Sequence, residues 1–239
     1  MTCSLIQFSL TMFTLVLNCY IIYKSNSTFS IYNLYSGDFL LLPPNFTLYF
    51  WNIILLLLIF GFIISGMCLK DIGIFSYFLS CIINCLFHFF LSNKNLGIAT
   101  LFCGLLVLIL ILNMYEVWQD TEKINPLLIL FSIYNCWAIY NFFLGISILL
   151  IPLIEAKILA IFFLSLIFLI KVLQLYFIKY EVRYLGICIT FSFLLITISL
   201  LTLLYSDPFH YSFFGIMFYA ACLIFEIKCL KKKRKEIMN

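Results

Sequence analysis

Eight apolar stretches follow one another along this chain of 239 residues, with little between most of them. They run over about 5–23, 47–69, 72–92, 96–115, 126–152, 157–178, 184–205 and 209–227. Each is near the roughly 20 residues that a helix needs to cross about 30 Å of hydrocarbon. A segment alone in lipid satisfies its backbone only internally, so each stretch reads as a helix, and all are too long and too uniformly apolar for barrel strands. The expected fold is all-α: a polytopic transmembrane bundle of about eight spans, with residues 1–239 forming a single integral membrane domain. Charged residues make up 10% of the chain and hydrophobic ones 65%, against about 25% charged in soluble domains. That balance excludes a water-soluble fold and, equally, a disordered chain.

The connections are tight. Lys70-Asp71 separates spans two and three, Asn93-Lys94-Asn95 three and four, Lys179 to Arg183 six and seven, and Ser206-Asp207-Pro208 seven and eight. Such links make sequence neighbours antiparallel neighbours and leave no room for a catalytic domain outside the membrane. Longer loops are expected at 24–46, ending in Pro43-Pro44, and at 116–125, with Glu116, Asp120, Glu122 and Lys123. The first span lacks a basic leader and an A-x-A-like cleavage site, so it reads as an uncleaved helix.

Orientation follows from the end of the chain. Lys228 and Lys231-Lys232-Lys233-Arg234-Lys235 form a basic tail, 228–239, directly after the last span. It places the C-terminus on the cytoplasmic side and touches anionic lipid at about 1 kcal/mol per cation near the surface. With eight spans the N-terminus is cytoplasmic too. The sequons at Asn26 and Asn45 then fall on the outer side, as glycosylation acceptors would.

Groups able to do chemistry are few. Eight cysteines (Cys19, Cys68, Cys81, Cys85, Cys103, Cys136, Cys188 and Cys222) lie in apolar runs, where a free thiol acts as a small hydrophobe. No C-x-x-C pair occurs. Cys81, Cys85 and His88 share a helix face at i, i+4 and i+7, but one helix cannot build a tetrahedral metal site. The simpler reading of that face is a polar stripe, with Asn84 and His88 bonding across helices or His88 wet at the outer end of its span. Lys171 snorkels toward the cytoplasmic interface, and Glu226 is interfacial. No G-x-S-x-G, H-E-x-x-H or phosphate-cradling glycine loop is present, and the chain has only two histidines, His88 and His210. We therefore expect no enzyme, no catalytic residue, no metal and no cofactor.

The strongest local patterns are aromatic. Pro43-Pro44-Asn45-Phe46-Thr47-Leu48-Tyr49-Phe50-Trp51 opens span two, and Leu130-Phe131-Ser132-Ile133-Tyr134-Asn135-Cys136-Trp137-Ala138 lies in span five. The two prolines preset a helix start. Tyr134 and Trp137, at i and i+3, project from one face. Such residues serve either as interfacial belts or as walls of a pocket for a flat apolar ligand.

These segments resemble the tryptophan-rich sensory protein / translocator protein family (peripheral-type benzodiazepine receptors), in its long eight-helix form. The family's P-A-N-Y-T-F-x-I-W is matched here by P-P-N-F-T-L-Y-F-W at 43–51. Its L-N-x-x-W-x-x-x-F is matched by I-N-C-L-F-H-F-F at 83–90, and its P-F-S-I-Y-L-G-W-I by L-F-S-I-Y-N-C-W-A-I at 130–139. The three fall in family order. This chain departs from the pattern at Leu48, Phe87, Leu130 and Cys136, and the family's seventh-helix W-A pair is not visible in 184–205. The resemblance implies a five-helix core with further helices, and an internal pocket for a tetrapyrrole- or sterol-like ligand. Position by position, it implies that Asn45, Trp51, Asn84, Tyr134 and Trp137 line that pocket.

The expected function is thus binding or translocation of a hydrophobic small molecule, a porphyrin or a sterol, within the lipid bilayer. The alternatives are a seven- or eight-helix receptor, a structural subunit of a membrane complex, or an enzyme built on Cys85/His88 or Glu155/Lys157. Against the receptor, no acidic-Arg-Tyr triplet follows span three. The enzyme requires its groups to converge within about 3 Å of one another.

Overall fold

The computed structural model describes residues 2–24, 50–65, 74–119, 126–150, 152–154, 158, 162, 217, 220–225 and 227–228. Two units are distinguished, Met1–Ser165 and Leu166–Asn239. In the second, the described residues are helical and Cys222 is buried. Asn45, Glu155, Lys157, Lys171, Glu226, the span expected at 184–205 and the tail from 229 onward lie outside the described residues.

In the first unit five helices follow in order: α1 (Thr2–Lys24), α2 (Phe50–Ser65), α3 (Ile74–Ser92), α4 (Leu96–Gln119) and α5 (Pro126–Leu150). Among the described residues there is no strand. Three of the helices, over Phe75–Ser92, Leu96–Val117 and Leu128–Leu150, are long and apolar enough to cross a membrane, and shorter apolar segments occupy Ile6–Ile21 and Trp51–Gly61.

Packing closes these helices into a ring. α1 touches α2, α2 touches α5, α5 touches α4, α4 touches α3, and α3 returns to α1. Large apolar side chains such as Phe13, Val16, Phe60, Phe75, Leu101 and Leu108 point outward, as they do where the solvent is hydrocarbon. Small residues sit where α4 and α5 meet. Ala99, Cys103 and Ala138 are buried, the Cys103 thiol donates to the Ala138 carbonyl at 3.3 Å, and a Cβ on Gly145 would press into Thr100. Small residues allow the close backbone approach on which helix association in lipid depends.

The turn between α3 and α4 is built from the three residues singled out in the sequence. The Lys94 amide donates to the Leu91 carbonyl at 3.1 Å and the Asn95 amide to the Phe90 carbonyl at 3.0 Å. That pair of bonds is a Schellman cap, with Lys94 at the left-handed position (φ 59°). Asn95 then caps α4, its Oδ1 accepting from the Ile98 amide at 3.4 Å. A lysine in the left-handed region costs about 1 kcal/mol that glycine does not. Lys94→Gly is therefore expected to stabilise the bundle by about 1 kcal/mol, read as a rise in the midpoint of thermal unfolding in detergent.

α4 continues to Gln119, past the expected end of its span at about 115, and takes in Glu116. The reason is local: the Ser76 hydroxyl, in the first turn of α3, donates to Glu116 Oε2 at 2.8 Å. The carboxylate thus closes the open end of the α3–α4 hairpin and does not belong to the loop.

Candidate functional site

The ring of helices is filled by aromatic side chains that bridge helices from opposite sides. Trp51, in the first turn of α2, is fully buried. Its ring lies 5.2 Å from His88 and 5.4 Å from Phe87 on α3, and 5.6 Å from Tyr134 on α5. The contacts with His88 and Tyr134 are edge-on, at 85°, the arrangement that ring quadrupoles favour. A second contact, Tyr77 against Phe131 at 6.0 Å, joins α3 to α5. The Tyr77 hydroxyl also shares a hydrogen bond with Thr11 on α1.

Four of the five residues singled out from the sequence are described. Trp51, Asn84, Tyr134 and Trp137 are all at most 2% exposed. Trp51 and Tyr134 are in direct contact. Trp137 stacks on Tyr140 at 5.3 Å, and its backbone carbonyl accepts from the Asn141 amide group at 2.8 Å. Trp51, Tyr134 and Trp137 are therefore all inside the bundle.

His88 is also buried, at 2% exposure, with the Trp51 ring packed against it at 5.2 Å. Its Nε2 and both amide atoms of Asn84 have no hydrogen-bond partner among the described residues. Neither expectation for this pair, bonding across helices or a wet histidine, describes it. Cys81, Cys85 and His88 do not gather into a metal-holding group, and no such group occurs among the described residues.

One feature escaped the sequence reading. On α1, Gln7, Thr11, Thr14 and Asn18 are all at most 1% exposed. They recur at i, i+4, i+7 and i+11, which is one helix face. This spacing of polar residues in an otherwise apolar segment was the available signal.

The described groove of about 430 Å³ lies elsewhere, on the face shared by α1 and α3, between Leu10, Phe13 and Leu17 on one side and Phe78, Ile82 and Phe89 on the other. None of the four described residues among those predicted, Trp51, Asn84, Tyr134 and Trp137, lines it.

The described part of the first unit is thus an all-helical bundle with a buried aromatic and amide interior, and three of its helices are long and apolar enough to cross a membrane. No family model, curated protein or solved structure matches the chain.

Proposed function

We propose that this chain is a non-enzymatic polytopic membrane protein that binds or moves a hydrophobic small molecule inside its helix bundle. The five described helices would be the core of an eight-span protein whose C-terminus faces the cytoplasm. The observation that carries the reading is the position of Trp51. The tryptophan that ends the P-P-N-F-T-L-Y-F-W segment sits at the centre of the ring, where it meets α3 through Phe87 and His88 and α5 through Tyr134. Support also comes from the burial of Asn84, Tyr134 and Trp137, the other described positions drawn from the translocator-like motifs. An aromatic interior with a few convergent polar groups is the usual character of a small-molecule site.

The test is tryptophan fluorescence of the purified protein, titrated with protoporphyrin IX and, separately, with the fluorescent sterol dehydroergosterol. Saturable quenching is expected with one of them, weakened about tenfold by Trp137→Phe or Tyr134→Leu. Alanine is a poor choice at either position, because emptying a buried aromatic site costs about 3–5 kcal/mol of packing. Absence of saturable quenching with both ligands defeats the proposal. It would favour the structural-subunit reading, in which the rings in contact around Trp51 are simply a filled core.

A further inference from the structure

The inward face of α1 is polar, and it runs alongside a polar face of α3. Thr11 is hydrogen-bonded to Tyr77, and Thr14 and Cys81 line the same groove between the two helices. These pairs differ in residue number by 66 and 67, so α1 and α3 are parallel and in register. Continuing along both helices, Asn18 stands seven residues beyond Thr11, and Asn84 stands seven beyond Tyr77. Seven residues are two turns, about 10 Å along the axis on the same face. Asn18 and Asn84 are therefore neighbours at one depth of the bundle, and both are 0% exposed.

Their hydrogen bonding sets them apart from most polar residues of the interior; Asn113 on α4, also 0% exposed, is alike in having neither amide atom paired among the described residues. The buried serine and threonine hydroxyls find partners within their own helices, and that of Tyr77 finds Thr11. Thr11 donates to the Gln7 carbonyl at 2.7 Å, Thr14 to Leu10 at 2.8 Å, Ser80 to Tyr77 at 2.7 Å and Thr100 to Leu96 at 2.8 Å. Asn141 does the same, its amide donating to the Trp137 carbonyl four residues back. Asn18 and Asn84 do not: neither the oxygen nor the nitrogen of either amide has a partner among the described residues. Such groups cost about 1–3 kcal/mol each when buried and unpaired. One turn beyond Asn84, His88 Nε2 is in the same condition. Toward one end of this layer Trp51 packs on Phe87 and His88, and toward the other Tyr77 packs on Phe131.

We propose that Asn18 and Asn84 form an occluded site for an uncharged polar group that both donates and accepts hydrogen bonds, such as the carboxamide or hydroxyl of an otherwise apolar ligand. An amide pair offers a donor and an acceptor from each helix, which matches such a group and not a carboxylate. No charged side chain among the described residues is buried, so an ionised ligand would enter uncompensated, at far greater cost than a neutral one. Among hydrophobic molecules the site thus selects neutral, hydroxyl- or amide-bearing ones over anionic ones. This assignment rests on the ligand-binding reading and narrows its substrate class.

The experiment compares three probes of one shape, 2-naphthamide, 2-methylnaphthalene and 2-naphthoate, by energy transfer from the tryptophans of the detergent-solubilised protein. The expected result is that the amide binds at least tenfold more tightly than the hydrocarbon or the carboxylate. In Asn18→Leu and in Asn84→Leu that preference should fall close to unity, with hydrocarbon binding retained. Leucine is near asparagine in size, and replacing an unpaired buried amide by an apolar group is neutral or stabilising, so the variants should unfold no lower than wild type. If a leucine variant fails to fold, Asn84→Ala carries the same comparison. Equal binding of the three probes to wild type, or a preference that survives in Asn84→Leu, overturns the amide site and leaves the wider ligand-binding reading intact. A leucine variant that gains stability with no change in probe preference marks the pair as structural only and also overturns it. Failure of all three probes, together with failure of the porphyrin and sterol titrations, overturns both.

Discussion

Trp51→Ala is expected to cost about 3–5 kcal/mol of bundle stability, the range for emptying a buried aromatic site. In water much of such a loss is hydrophobic transfer, but in a bilayer lipid tails are as apolar as the core and that term largely vanishes. What remains is contact. Trp51 touches Phe87, His88 and Tyr134 at ring distances of 5.2 to 5.6 Å, and these rings hold α2, α3 and α5 together through the middle of the ring. Collapse around the vacated volume would have to move three helices at once, so the cavity should persist and, with the transfer term reduced, the cost should lie toward the lower end of that range. Phe60→Ala is the control. Phe60 lies on the same helix but is 58% exposed, and its loss should change stability by no more than about 0.5 kcal/mol. Thermal unfolding of both variants in one detergent, followed by near-ultraviolet circular dichroism, measures the difference. Equal midpoints would show that Trp51 is not the central contact.

The same residue shows how far the sequence could be read. That a helix begins near Trp51 follows from Pro43-Pro44 and the apolar run behind them, and the helix is found at Phe50–Ser65. α3, α4 and α5 likewise begin within two residues of the positions expected from hydropathy, at Ile74, Leu96 and Pro126. Hydropathy in a membrane chain locates spans because an unpaired backbone is intolerable in lipid. It says little about which face turns inward. α5 is apolar over most of its surface; Ser132, Asn135 and Asn141 mark the side that turns inward, with Phe131, Tyr134 and Ala138, while Leu149 faces out. Trp51 could have been a belt residue on composition alone. His88 illustrates the opposite error. Its place near a helix end suggested contact with water, but the Trp51 ring packs against it at 5.2 Å, and no local pattern in α3 encodes a contact from α2. The polar face of α1 was legible in principle, since Gln7, Thr11, Thr14 and Asn18 keep helical spacing. Hydroxyls that bond back within their own helix, as Thr11 and Thr14 do, are tolerated on either face of a span, so the spacing alone does not say which way the face turns. Glu116 was placed in a loop because a carboxylate seems foreign to a span, and its partner Ser76 lies forty residues away.

Gly145→Val should destabilise the bundle by about 3 kcal/mol, and Gly145→Ala by about 1–2 kcal/mol, both through the α4–α5 contact. Two effects of opposite sign compete. Adding a methyl group to a helical glycine gains about 1 kcal/mol in helix propensity. Against that, a Cβ at position 145 would press on Thr100 Oγ1 and stand 3.1 Å from its Cγ2 and 3.2 Å from its Cβ. Overpacking a filled site costs about 1–3 kcal/mol, sometimes more. Escape by rotation is limited. Thr100 is β-branched, with few χ1 positions open to it in a helix, and its hydroxyl is engaged with the Leu96 carbonyl at 2.8 Å. The contrast with Gly104 sharpens the expectation. A Cβ there would meet Phe142 Cε2 at 2.8 Å, but that atom lies toward the far edge of an intermediate-exposure ring that can swing aside, so Gly104→Ala should cost less than Gly145→Ala. A double-mutant cycle isolates the contact. Thr100→Ala removes the opposing hydroxyl and methyl, and in that background Gly145→Ala should become neutral or stabilising, giving a coupling of about 1–3 kcal/mol between positions 100 and 145. If the two substitutions instead add without coupling, α4 and α5 do not approach through Gly145, and the small-residue contact is not what holds that side of the ring together.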